Sequence, residues 1–364
     1  MKFYFAPLEG ITRYIFRNAY EKYYGGIDKY FAPFISPTDN CFLTPKNIRE
    51  LCPEHNQGIK LVPQILTNNS VAFIGAAKEL SDMGYKELNL NLGCPSGTVC
   101  AKKKGAGFLT EWYEMEQLFD AIYEWAASYN VKISVKTRFG RFNPEEFYDI
   151  LEIYNKYPIS ELIIHPRIEK DYYKGRPRME YFDYSVEHSS NPIVYNGNLF
   201  SVEQIRDYEL KYLAGCEENE LTEITETNSL REKEKIMANY SFSVTDTVML
   251  GRGLLYNPEL IEQYGKIKKI DSKESNNIII NNVKVDSVHE FQDFNFKRFW
   301  SFHDEIYHNY QEIMSPDKNV LFHMKELWTY WKELYTDDER AVKNILKSKN
   351  YGEYEALTGI IRQK

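Results

Sequence analysis

Eight short β-rich runs separated by helix-like stretches restrict this chain's fold more than any other feature. The runs are FYFAP (3–7), KYFAP (29–33), KLVPQIL (60–66), ELNLN (87–91), ISVKTR (133–138), ELIIHPR (161–167), PIVYNG (192–197) and TVMLGRG (247–253). Between the fourth and fifth, Trp112, Met115, Leu118, Phe119, Ile122, Trp125 and Ala126 recur at i, i+3, i+4 spacing after Thr110, which predicts a helix capped by that threonine. Residues 70–83 and 144–157 also read as helices, opening near Ser70 and at Asn143-Pro144. Eight alternating strand–helix units predict an α/β fold, a (β/α)8 TIM barrel. A doubly wound sheet would carry a GxGxxG turn after the first strand, and APLEGITR contains none.

In such a barrel the chemistry lies at the carboxyl ends of the strands. Those ends carry Pro7-Leu8-Glu9, Gln64, Asn91 with Cys94, Lys136 with Arg138, His165 with Arg167, Asn196-Gly197 and Gly251-Arg252. A cysteine inside a strand packs as a small hydrophobe, but Cys94 follows its strand within Asn-Leu-Gly-Cys-Pro. Gly93 is read as allowing an unusual backbone angle and Pro95 as stiffening the exit, so that the sulfur is held at a defined point. A thiol with an ordinary pKa of ~8.5 can donate a proton as well as attack. Cys100 reads as structural.

Lys136 at a barrel mouth is costly unless it meets an anion or is used chemically. It is suited to a Schiff base, as in an aldolase, or to the negative charge of a reduced flavin around N1/O2. Asn196-Gly197 and Gly251-Arg252-Gly253 end the seventh and eighth runs, where barrels commonly hold a phosphate. That position points to FMN or another phosphorylated ligand. Lys102-Lys103-Lys104 before Gly105-Ala106-Gly107 resembles a phosphate-handling loop without the Gly-Lys-Ser/Thr order of a P-loop. By itself a lysine run is more often a solvated face.

At 364 residues, 43% hydrophobic and 27% charged, the chain is long enough for one large domain and a small one. The expected division is a catalytic barrel over 1–267 with an acidic insertion at 214–246, a linker at 268–288 and a helical domain at 289–364. In the last, Leu321, Met324, Trp328 and Trp331 form an apolar stripe near Lys318, Lys325 and Lys332. No apolar run approaches the ~20 residues that span a bilayer, and MKFYFAPLEG has no signal-peptide pattern. Cys41, Cys52, Cys94, Cys100 and Cys216 form neither a disulfide framework nor a metal pair, so no metal is expected and a reducing cytoplasm is the expected home. A net charge of −8 weighs against nucleic-acid binding, yet the charge is uneven. Residues 217–226 hold five Glu and no basic residue, whereas Lys102–Lys104, Lys136, Arg138 and Arg141 form local positive clusters.

These stretches, in this order, resemble the tRNA-dihydrouridine synthases. The matches are APLEG, PQI, LNLGCPS with the following V and GAGFL, VKTRFG, IIHPR, PIVYNGNL and VMLGRGLLYNPEL. They cover about residues 3–265, and HMKELWTYW is more loosely similar to the family's C-terminal domain. The resemblance implies FMN-dependent reduction of uridine to 5,6-dihydrouridine in the tRNA D-loop, with NADPH as reductant. Hydride would pass from flavin N5 to uracil C6, and Cys94 would protonate C5. Pro7, Leu8 and Glu9 would line the flavin, Gln64 would hydrogen-bond its ring, and Lys136 and His165 would lie along it. Asn196, Gly197, Asn198, Gly251 and Arg252 would hold its phosphate end. Asn91 and Arg138 would contact the substrate nucleotide, and Lys102, Lys103 and Lys104 would follow the tRNA backbone.

The helical domain would also bind tRNA. A monomer without a stable protein partner and without a membrane association is expected. The chain departs from the family at Gly97, often a lysine, at Ile168, commonly a threonine, and in the long acidic segment before the eighth run. The rival readings are a flavin barrel acting on a free pyrimidine such as dihydroorotate, a Schiff-base aldolase using Lys136, and a non-catalytic tRNA-binding protein.

Overall fold

A barrel wall assembles from parallel strands that pair in almost unbroken order. The computed structural model describes residues 1–213, 244–274 and 294–363. Its strands are β1 (Lys2–Phe5), β2 (Lys29–Phe31), β3 (Leu61–Val62), β4 (Gln64–Ile65), β5 (Glu87–Leu92), β6 (Lys132–Gly140), β7 (Leu162–Ile168), β8 (Ile193–Tyr195) and β9 (Val244–Leu250). They lie in the order β3-β2-β1-β9-β8-β7-β6-β5-β4, and every pairing is parallel. β3 and β4 are two halves of the single run 60–66, broken at Pro63, which has no N–H to donate. The two ends of the sheet are thus one chain segment, and a parallel bridge between Ile35 and Ile65 helps close the ring. The expected TIM barrel is present, and Tyr4, Ala6, Phe31, Val62, Ile163, Val194 and Met249 form its buried centre.

The chain falls into two units. The first comprises Met1–Pro7, Asp28–Asn198 and Arg206–Leu250, and it holds every described strand. Its helices include α2 (Pro45–Leu51), α3 (Ser70–Asp82), α4 (Gly97–Cys100), α5 (Trp112–Tyr129), α6 (Glu146–Tyr154) and α7 (Met179–His188), following α1 (Tyr14–Tyr23) in chain order. α3 starts where the Asn69 side chain accepts the backbone N–H of Ala72. α5 buries Met115, Leu118, Phe119, Ile122, Tyr123, Trp125 and Ala126, as its periodicity requires, but Trp112 is exposed. Thr110 does not cap it: Glu111 occupies that position without a side-chain capping bond. α6 opens beyond Asn143-Pro144, where the Glu146 carboxylate collects the backbone N–H groups of Arg141, Phe142 and Asn143.

The second unit comprises Leu8–Ile27, Leu199–Ile205 and Gly251–Lys364. After α8 (Val202–Leu213), it contains α9 (Arg252–Tyr256), α10 (Leu260–Glu274), α11 (Phe296–Ile313), α12 (Asp317–Trp331), α13 (Glu339–Lys347) and α14 (Tyr351–Arg362), together with α1. The stripe on α12 is buried at Leu321, Met324, Trp328 and Trp331. Phe302 of α11 packs edge-on against Phe16, Tyr20 and Tyr24, so α1 belongs to this helical core. Arg298 completes that contact by pairing with Glu259 and Glu262 while lying over the Tyr24 ring.

Three sequence boundaries move. The eighth run stops at Leu250, and residues 252–253 already belong to α9. Of the acidic insertion, residues 244–246 are strand, while 214–243, with Cys216, lie outside the described residues. Of the expected linker, residues 268–274 continue α10, and 275–288 lie outside the described residues. Among the described residues no helix is long and apolar enough to cross a membrane.

Candidate active site

Side chains two apart on a strand share a face, and here the polar ones share the inner face. Lys136 pairs in register with Ile163 of the buried centre and with Asn91, and Asn89 pairs with Gln64 and Ser134. The result is a row of hydrogen bonds across three strands. Gln64 donates through Nε2 to Asn89 Oδ1 at 2.7 Å, and Asn89 donates through Nδ2 to Ser134 Oγ at 2.9 Å. Asn91 donates through Nδ2 to Gln64 Oε1 at 2.7 Å. Gln64, Asn89 and Ser134 are buried. Buried amides of this kind are held in place because leaving one unpaired costs ~1–3 kcal/mol.

The Asn91 oxygen faces the next turn and accepts the backbone N–H of Gly93 at 3.1 Å and of Cys94 at 2.9 Å. The Cys94 carbonyl accepts from Ala106 N at 3.0 Å and from the Cys100 thiol at 3.3 Å. A Cβ on Gly105, whose φ is +56°, would lie 2.7 Å from that carbonyl oxygen, and one on Gly107 would lie 2.6 Å from Cys100 Cα. These glycines are therefore needed for close backbone packing beneath the cysteine turn. Gly93, unlike Gly105, does not take a left-handed angle; its Cβ would press to 3.3 Å of the Thr137 carbonyl carbon. Cys94 remains partly exposed, whereas Cys100 is buried. Burial, reinforced by Glu169, pushes the Cys100 thiol up to about 12. Cys100 is thus a structural donor.

Lys136 is half-buried, and its ammonium makes no hydrogen bond or ion pair among the described residues. Burial first, and the Arg138 charge second, pull its pKa down to about 7, against a smaller opposing effect of Cys94. A cation in this state fits an anionic group, which is the requirement for the N1/O2 side of a flavin. Arg138 is different. Its guanidinium is buried and donates to the carbonyls of Gly93 (2.9 Å), Ile168 (2.9 Å) and Tyr172 (2.7 Å), with the Tyr173 ring 5.5 Å away. Through these three bonds the arginine ties the cysteine turn to the loop after β7.

Arg167 is fully buried and gathers four groups: Lys174 O at 3.1 Å, Gly175 O at 2.6 Å, Asn198 Oδ1 at 3.2 Å and His165 Nε2 at 2.8 Å. Guanidinium only donates, so Nε2 accepts and the imidazole hydrogen resides on Nδ1. Asn196 donates to Met249 O at 2.7 Å, and Gly197 has no room for a side chain, since a Cβ would lie 2.0 Å from the Tyr195 hydroxyl oxygen.

The lysine run is divided. Asn68 donates to the carbonyls of Lys102 and Lys103, which fixes the backbone, and Lys103 pairs with Glu111 at 2.7 Å. Lys102 and Lys103 are exposed, and partial burial and the neighbouring Lys102 lower the Lys104 pKa.

Pro7 ends the first segment of the barrel unit, while Leu8, Glu9, Gly251 and Arg252 belong to the helical unit. There Leu8 N–H donates to Thr12 Oγ1 at 2.8 Å, and the Arg252 guanidinium lies 5.3 Å from the Phe200 ring. Asn89 and Ser134, and the role of Arg167, escape the sequence reading. Their one available signal was period-two spacing from Asn91, Lys136 and His165.

A family model described as "Dihydrouridine synthase (Dus)" matches residues 4–214. A tRNA-dihydrouridine(16) synthase of Vibrio parahaemolyticus is 26% identical over 56% of this chain, which spans 64% of that protein's length. A tRNA-dihydrouridine(16) synthase of Pseudomonas syringae is 24% identical over 74% of this chain and 76% of its own length. A probable tRNA-dihydrouridine synthase of Staphylococcus aureus is 25% identical over 82% of each chain.

Proposed function

Because the chain belongs to the dihydrouridine synthase family, we propose that it reduces uridine to 5,6-dihydrouridine in the D-loop of tRNA, with FMN as bound cofactor and NADPH as reductant. The observation that carries this reading is the nearness of a partly exposed thiol, in the turn after β5, to the Lys136 ammonium on β6, which makes no ion pair among the described residues. When bound, the flavin supplies the hydride transfer that no side chain can perform. The protein's share is to orient the base and supply one proton. Cys94 holds that proton on Sγ for uracil C5. Asn91 fixes the turn from which the thiol projects, and Arg138 holds the other side of the same turn.

Lys136 would face the anionic side of the flavin ring. Gln64 keeps one amide hydrogen for that ring after donating the other to Asn89. His165, with its hydrogen on Nδ1, would lie along the same cofactor, and Asn196, Gly197 and Asn198 would approach its phosphate end. Lys102 offers an exposed positive charge next to the cysteine turn, suited to tRNA phosphates. The uracil must leave its stack to reach Cys94, which is least costly in a loop. No disulfide joins the described cysteines, which suits a reducing cytoplasm.

Incubating the purified protein with FMN, NADPH and unmodified tRNA, followed by nucleoside mass spectrometry, tests the reading. Dihydrouridine should form in tRNA and not from free uridine, with one protein monomer acting on one tRNA. Position 16, named for two of the relatives, is the first to map. Comparable turnover of free uridine would replace this reading with a free-pyrimidine reductase.

A further inference from the structure

We propose that Asn89, together with Ser134, is a positioning residue that sets the orientation of the Cys94 turn through Gln64 and Asn91; this rests on Cys94 being the proton donor. The row of hydrogen bonds has a direction. At one end the Leu88 carbonyl only accepts, so the Ser134 hydroxyl hydrogen points to it at 3.4 Å. Ser134 Oγ must then accept from Asn89 Nδ2, which leaves Asn89 Oδ1 for Gln64 Nε2. Gln64 Oε1 is thereby turned to Asn91 Nδ2, and Asn91 Oδ1 to the N–H groups of Gly93 and Cys94.

Each amide has one donating and one accepting end, so reversing any of them reverses the next. The two termini, a backbone carbonyl and two backbone N–H groups, permit this orientation alone. A reversed Asn91 would place its NH2 against two N–H groups and release the turn. Asn89 is 0% exposed, so no solvent replaces its bonds. It touches neither the thiol nor the base, and acts through two intervening amides.

The test uses Asn89→Leu and Asn89→Asp in the flavin-loaded enzyme. Leucine keeps the branched shape and heavy-atom count but neither accepts nor donates. Aspartate still presents an acceptor to Gln64. Three quantities are read: kcat and KM on unmodified tRNA, the rate of Cys94 alkylation by iodoacetamide followed by mass spectrometry, and Tm. For Asn89→Leu, kcat should fall on the order of 100-fold with KM for tRNA nearly unchanged, because displacing a reacting group by about 1 Å costs this much. The alkylation rate should change with it, and Asn89→Asp should restore both to within about 5-fold of the parent on the same grounds.

Wild-type kcat and alkylation rate in Asn89→Leu would overturn the proposal. So would equal losses in both variants, which would mark a merely structural role. Should Asn89→Leu fail to fold, Ser134→Ala removes the Leu88 anchor with a smaller change, and an unaltered alkylation rate there also overturns it. A wild-type protein that makes no dihydrouridine would refute the functional reading instead, while the alkylation comparison still decides the role of Asn89.

Discussion

The Arg167 guanidinium donates to Nε2 of His165 at 2.8 Å, and this bond alone places the imidazole hydrogen on Nδ1. The same arginine holds Asn198, so one buried cation organises two residues that the proposed cofactor would need. Replacing Arg167 with Met should leave the Lys174 and Gly175 carbonyls unpaired, at a cost of ~2 kcal/mol or more. It should also lower the flavin content of the purified protein. Nitrogen NMR of His165 checks the point: the parent shows the Nδ1–H form, and the variant a mixture. An unchanged tautomer would refute the assignment.

Lys136 makes a pH-dependent prediction. Its pKa in the ligand-free fold is about 7, lowered mainly by burial, against an ordinary lysine value of ~10.4. Between those values the unfolded chain binds a proton that the folded protein does not, so this residue makes stability rise with pH from about 7 to about 10. Lys136→Met should flatten that rise. Pairing with the anionic N1/O2 edge of the reduced ring restores the charge, so affinity for reduced FMN should weaken as pH increases above about 7 in the parent and stay level in the variant. Affinity measured by fluorescence quenching across pH 6–9 decides it; a level profile in the parent would contradict this role.

At the amino ends of the strands, Lys29 bridges Glu87 and Glu161 at 2.9 Å each, and Tyr4 OH donates to Glu161 at 2.7 Å. These largely buried side chains tie β1, β2 and β5 to the entry of β7. Lys29→Met leaves two carboxylates without their cation and should cost about 3 kcal/mol. Denaturant unfolding should show the loss, with kcat of the folded protein unchanged because the proposed chemistry lies toward the opposite ends of the strands. An unaltered midpoint would show that the cluster contributes nothing.

The barrel was legible because each strand is a short apolar run between turn residues. The ends were less so. Gly251-Arg252-Gly253 reads as a continuation of TVML, although the strand stops at Leu250, because pairing partners, not composition, end it. Membership of α1 in the helical unit was not legible either, since an amphipathic helix at 14–23 looks the same whether it covers a sheet or meets Phe302. Cys94, Lys136 and His165 stood out by residue type near the ends of the apolar runs, although β6 and β7 continue past Lys136 and His165. Arg138 stood out equally, but nothing local reveals that its bonds go to carbonyls at 93, 168 and 172. Asn89 was silent for the converse reason: its importance lies in which way its amide points.

The most direct measurement of the central claim is a single-turnover reduction of unmodified tRNA in D2O, comparing the parent with Cys94→Ala. The parent should form dihydrouridine carrying deuterium at C5, delivered from the exchanged thiol. Cys94→Ala should bind tRNA with similar affinity and yield almost no product. Product at the parental rate from Cys94→Ala would contradict the account.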